Sequence, residues 1–146
     1  MSRPTEDFIC CKRIAVVGFS RNSRKFGNLA YNELKQRGYL VWAVHPTEKV
    51  IAGIPCYPNL TSLRGRVDAV LVSVPPKQAV SILEEAASIG LKNVWLQQGA
   101  ESTEAFETAE RLRLNLVAKK CVLMYAPPVR SFHGWHRAVA KFIGKL

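Results

Sequence analysis

Short apolar runs alternate with segments whose apolar residues recur at helical spacing, and that alternation sets the expected fold. The run RIAVVG at 13–18 is β-branched and ends in glycine, which suits a buried parallel strand entering a tight turn. Residues 28–37 follow as a helix, with Ala30 and Leu34 on one face and Gly38 as its stop. A second strand is expected at 39–44, broken by His45 and Pro46. The connection at 49–65 is rich in glycine and proline, and within it 54–57 is the candidate for a brief edge pairing.

Asp68 introduces AVLVSV at 69–74, the strongest central strand, which stops at Pro75 and Pro76. Ala79, Val80, Ile82, Leu83, Ala86 and Ala87 mark the next helix, closed by Gly90. KNVWLQ at 92–97 reads as a strand. Ser102 can cap a helix running through Phe106, Ala109 and Leu112, and 115–122 supplies the last strand. Such alternation predicts a Rossmann-like, doubly wound α/β domain: a mostly parallel five-stranded sheet with helices on both faces. The expected divisions are an N-terminal extension at 1–12, the nucleotide-binding domain at 13–130 and a basic terminal helix at 131–146.

Ligands of such sheets sit beyond the carboxyl ends of the strands. The first of those turns reads VGFSRNSRKFG at 17–27. Gly18 permits a tight turn beside Phe19, Ser20 and Ser23 offer hydroxyls, and the following helix offers free N–H groups to a phosphate. Arg21, Arg24 and Lys25 add positive charge. At the second strand end Val44 leads to His45, Pro46 and Lys49, with His45 a candidate donor and Lys49 a candidate phosphate partner. Val72, Ser73, Val74 and Pro75 form a rigid apolar exit from the central strand, with Lys77 beside it. Trp95 and Gln97 end the next strand. A purely structural glycine turn, a simple strand stop at the prolines and a core tryptophan are the plainer alternatives.

Composition narrows the chemistry. The chain has 146 residues, 48% of them hydrophobic and 22% charged, in keeping with one folded soluble domain. Its formal net charge of +10, from 21 Lys and Arg against 11 Asp and Glu, favours polyanionic ligands without choosing among them. After Glu110 no acidic residue occurs, which leaves a nucleic-acid or protein contact open for the basic tail. No run approaches the length of a membrane helix and no secretory signal opens the chain, so a cytoplasmic location is expected. The cysteines at 10, 11, 56 and 121 lack metal-site spacing, and His133 with His136 lacks further ligands, so no metal is expected. No Ser–His–acid set is visible, and no catalytic residue is assigned. A conventional dinucleotide site needs GxGxxG and an acidic residue after the second strand, and both are missing. NADP, favoured by charge alone, is the oxidoreductase alternative.

Five segments together, AVVGFS at 15–20, AVHP at 43–46, IAGIPCYPNL at 51–60, VDAVLVSVPP at 67–76 and NVWLQQGAES at 93–102, resemble the YccU-like small CoA-binding proteins. That group is related in fold to the CoA-binding domain of the succinyl-CoA synthetase alpha subunit. The resemblance implies that residues 18–21 surround the CoA phosphates and that Val44, His45, Pro46 and Lys49 form a second side. It further implies that residues 72–75 face the adenosine portion and that residues 95–97 close a fourth wall. Many members have no assigned reaction, so the implied role is binding of CoA or an acyl-CoA without independent catalysis, with a homodimer or protein partner left open. CVLMYAPPVR at 121–130 departs from the group's usual polar continuation.

Overall fold

The computed structural model describes residues 3–128. The expected terminal helix at 131–146, with His133 and His136, lies outside them. The elements are α1 (Arg3–Ile9), β1 (Arg13–Val17), α2 (Phe26–Gln36), β2 (Leu40–Val44), β3 (Val50–Ile51), β4 (Ile54–Tyr57), β5 (Ala69–Val72), α3 (Pro76–Ser88), β6 (Asn93–Leu96), α4 (Thr103–Arg111) and β7 (Asn115–Ala118). One sheet runs in the order β3-β4-β2-β1-β5-β6-β7. Every pairing is parallel except β3 with β4.

Alternation within each strand sorts the core into two layers. Ile14 and Val16 of β1, with Ala69, Leu71 and Trp95, meet α1 and α2 on one face. Ala15 and Val17, with Val70, Val72, Val94 and Leu96, meet α3 and α4 on the other. Strands covered on both faces need apolar residues at every position, and β5 is buried at all four. β1 is the turning point of the winding: the chain builds outward from it through β2 on one side and through β5, β6 and β7 on the other.

The doubly wound expectation holds, with seven strands instead of five. The difference is the edge hairpin, in which β4 coincides with the brief pairing expected at 54–57 and β3 is the strand not expected. Ala52 and Gly53 both take positive φ, 51° and 80°, which is the two-residue turn that joins β3 to β4. Only Gly53 advertised it, because alanine rarely enters that region. The strand expected at 115–122 ends at Ala118, since Lys119 has a φ of 64°.

A second departure concerns residues 3–9, expected to belong to an extension. They form α1, which covers β6 and β7, with Phe8 and Ile9 fully buried. Phe8 meets the Trp95 ring edge-on at 5.2 Å, and the Tyr39 hydroxyl donates to the Ile9 carbonyl at 3.2 Å. At the amino ends of the strands Arg13 grips Asp68 with two hydrogen bonds, of 3.0 and 2.7 Å. Cys11 lies nearby, its thiol directed at the Asp7 carbonyl and accepting from Asn93 Nδ2 at 3.4 Å. Burial first, then the charge of Asp68, pushes its pKa up to about 12.

Two outcomes follow. Phe8→Ala is expected to lower the unfolding free energy by about 3–5 kcal/mol in urea titration; a loss under ~1 kcal/mol would mean that α1 merely rests on the surface. Because the Cys11 thiol is raised in the fold, its contribution to stability is complete below the unfolded pKa of about 8.5 and is lost as pH climbs toward 12. Iodoacetamide at about pH 8.5 should therefore spare Cys11 in the folded protein and label it in urea, and equal labelling would contradict this burial.

Candidate functional site

Three helices begin at the carboxyl edge of the sheet, and two of them begin without a side-chain cap. Lys25 at the start of α2 and Pro75 at the start of α3 make no capping hydrogen bond. Ser102 at the start of α4 accepts from the Ala105 N–H. The third N–H of each first turn is taken, Asn28 N–H by the Lys25 carbonyl and Gln78 N–H by the Pro75 carbonyl, and Pro76 has none. The N–H groups open to an anion are therefore those of Phe26 and Gly27 on α2 and Lys77 on α3, each at the positive end of its helix dipole. Both open ends border a cleft of about 610 Å³ between the β1–α2 turn, the end of β2, the β4 exit and α3.

Two glycines make the turn possible. Gly18 has a φ of 119°, and a Cβ there would overlap the Ser73 carbonyl. A Cβ on Gly27 would overlap the Gly18 carbonyl. Backbone therefore meets backbone where β1, β5 and α2 converge. Asn28, 5% exposed, fixes the next residue of the turn: its Oδ1 accepts from Ser20 N–H at 2.9 Å and its Nδ2 donates to Ser20 C=O at 2.7 Å. The Ser20 hydroxyl accepts from Asn22 N–H at 3.0 Å. Phe19 turns inward against Tyr31, with ring centroids 5.0 Å apart.

On the β2 side, His45 Nδ1 accepts from the N–H groups of Thr47 at 3.1 Å and Glu48 at 2.9 Å. In the neutral ring this places the hydrogen on Nε2, which makes that atom the donor. Arg21 and Glu48 pair at 3.3 Å and join the first turn to the loop after β2.

Of the residues singled out from the sequence, Gly18, Phe19, Ser20, Lys25, Val44, His45, Pro46, Ser73, Val74 and Pro75 line this cleft. Arg21, Ser23, Arg24, Lys49 and Lys77 are exposed and lie outside its lining. Val72 is wholly buried in the core. Trp95 and Gln97, expected as a fourth wall, are enclosed elsewhere and do not line it. Trp95 Nε1 donates to the Lys120 carbonyl at 2.9 Å, and Gln97 Oε1 accepts from Val122 N–H at 3.3 Å. Their polar atoms anchor the chain after β7.

The sequence reading passed over Val17, Pro58, Asn59, Gln78, Ser81, Ile82 and Glu85, which complete the lining. A signal for four of them existed, because 78, 81, 82 and 85 fall on one stripe of a helix. Pro58 and Asn59 had none beyond a loop-rich composition. Among the described residues no helix is long and apolar enough to cross a membrane, and no group of three metal-ligating side chains occurs.

The model of a protein family described as a CoA binding domain matches residues 12–127. ADP-forming acetate–CoA ligase I of Archaeoglobus fulgidus is 31% identical over 123 residues, covering 77% of this chain and 18% of that protein. The chain thus spans about a fifth of that relative's length. The uncharacterized protein YneT of Bacillus subtilis is 26% identical over 111 residues, covering 76% of this chain and 82% of that one. A solved structure of a conserved hypothetical protein from Pyrococcus furiosus superposes with a TM-score of 0.71 at 33% identity, covering 77% of this chain and 97% of the other.

Asn28→Ala would strip both partners from the Ser20 backbone. Thermal unfolding should show a loss of about 1–3 kcal/mol; an unchanged midpoint would mean that the turn holds its shape without the Asn28 amide.

Proposed function

The chain belongs to the CoA-binding domain family, and from that premise we propose that its cleft binds coenzyme A or an acyl-CoA, with the phosphates at the β1–α2 turn. The observation that carries this reading is the pair of uncapped helix starts bordering one cleft, with Lys25 beside the first. CoA carries roughly four negative charges on its phosphates, so free N–H groups and a lysine have a defined task there. The apolar surfaces of Pro46, Val74 and Pro75 offer contact to the uncharged parts of such a ligand. Ser20 and the His45 Nε2 hydrogen add donors.

We read the chain as a binding module without chemistry of its own. Lys25, His45 and Glu85 are the titratable residues lining the cleft, and the Nδ1 partners of His45 are two backbone N–H groups and the Thr47 hydroxyl at 3.5 Å, with no carboxylate to orient it as a base. The ligase relatives are several times longer, which accords with a module that elsewhere is joined to further domains. Kinship with the YccU-like proteins and the succinyl-CoA synthetase alpha subunit is the narrower placement suggested by the sequence segments, and the ADP-forming acetate–CoA ligases stand beside them as candidates.

Calorimetric titration of ligand-free protein with CoA at moderate salt should give saturable binding near one CoA per chain. Lys25→Ala should weaken it about five- to tenfold and flatten its dependence on salt. No heat and no complex by native mass spectrometry would end the CoA reading; a normal affinity in Lys25→Ala would move the phosphates away from α2.

A further inference from the structure

The cleft has an acidic end. α3 starts at the carboxyl edge of the sheet and runs back along the face, so Glu85, nine residues past Pro76, lies roughly 14 Å down the helix at 1.5 Å per residue. Gln78, Ser81 and Glu85 descend on one stripe of α3 and line the cleft together, facing Pro58 and Asn59 from the exit of β4. Glu85 is held from that opposite side: its Oε2 accepts from Thr61 N–H at 3.2 Å and from the Thr61 hydroxyl at 2.9 Å. Both bonds use one oxygen, and the carboxylate's remaining lone pairs are acceptors it can offer to the cleft.

This polarity orients a ligand. A carboxylate repels phosphate, so the anionic part of a ligand belongs at Lys25 and the end that reaches Glu85 must bring a hydrogen-bond donor. Pro46, Pro58, Pro75 and Ile82 add apolar surface to the lining, suited to the faces of an aromatic base. Gln78 and Ser81 each both donate and accept, and Asn59, whose Oδ1 accepts from Ser62 N–H at 2.9 Å, keeps its NH2 group to donate, which matches a base edge of ring nitrogens with one amino group. Resting on the CoA-binding reading, we infer that Glu85 is a specificity residue that accepts a hydrogen bond from the exocyclic amino group of adenine and so rejects purines with an oxygen at that position. An oxo group would set its lone pairs against the Glu85 carboxylate, and the donor that hypoxanthine gains, N1–H, sits one ring position away from the lost amino group.

The test compares affinities for CoA and for its deaminated analogue, in which hypoxanthine replaces adenine, in the native protein and in Glu85→Gln. The native protein should prefer CoA about tenfold or more. Glu85→Gln keeps an oxygen for Thr61 and gains an NH2 group that can face the oxo group, so it should bring the two ligands within about threefold of each other. Equal binding of both ligands by the native protein overturns the inference without recourse to any variant. So does full discrimination retained in Glu85→Gln, while CoA binding itself still stands. Failure of the native protein to bind CoA removes the broader reading instead, and the Glu85 assignment falls with it.

Discussion

The contact of backbone with backbone at Gly18 organises this molecule. Parallel strands β1 and β5 are held at a fixed spacing by their ladder, yet the chain leaving β1 must turn across the end of β5 to begin α2. It does so by laying Gly18 against the Ser73 carbonyl and Gly27 against Gly18. No side chain fits at either place. Once that contact is made, the start of α2, the end of β2 and the exit of β5 have little freedom left, and the cleft is what remains between them. The geometry of the site therefore follows from the sheet's own winding, since the crevice opens where the connections leave β1 in opposite directions.

Much of this was legible because burial on both faces writes a strong signal. AVLV at 69–72 has no polar position, and the helices after β1, β5 and β6 carry clear stops or caps. What escaped notice had weak local signals. α1 is seven residues long and holds its place through Phe8 and Ile9 packed against distant strands, so its stability comes from tertiary contact and hardly from propensity. β3 has two residues and depends on a turn with Ala52 in an unusual conformation.

The site divides along the same line. Turn residues such as Gly18, Ser20, Lys25 and His45 could be found because strand ends in this architecture converge at one edge. The α3 stripe could not be assigned from turns, because Gln78, Ser81 and Glu85 reach the cleft from along a helix. Trp95 and Gln97 lie apart from the cleft lining. Position at a strand end suggested ligand contact, but β6 lies two strands away from β1 and its polar atoms are used to hold the chain beyond β7. Arg37 serves the same segment from the other side, donating to the carbonyls of Leu123 at 2.9 Å and Ala126 at 2.7 Å.

The placement of α1 also orders events during synthesis. Phe8 and Ile9 are made well before Trp95 and Val117, so the residues of α1 are present long before the surface that holds them as a helix exists. Through the interval its apolar side must wait uncovered while β1, β2 and β5 assemble, and its docking closes one of the longest loops in the fold. A nascent chain at that stage carries a sticky amphipathic segment ahead of a half-built sheet, the kind of species that chaperones engage. Crowded translation would test this protein more severely than dilute refolding, where the whole sheet is present from the start.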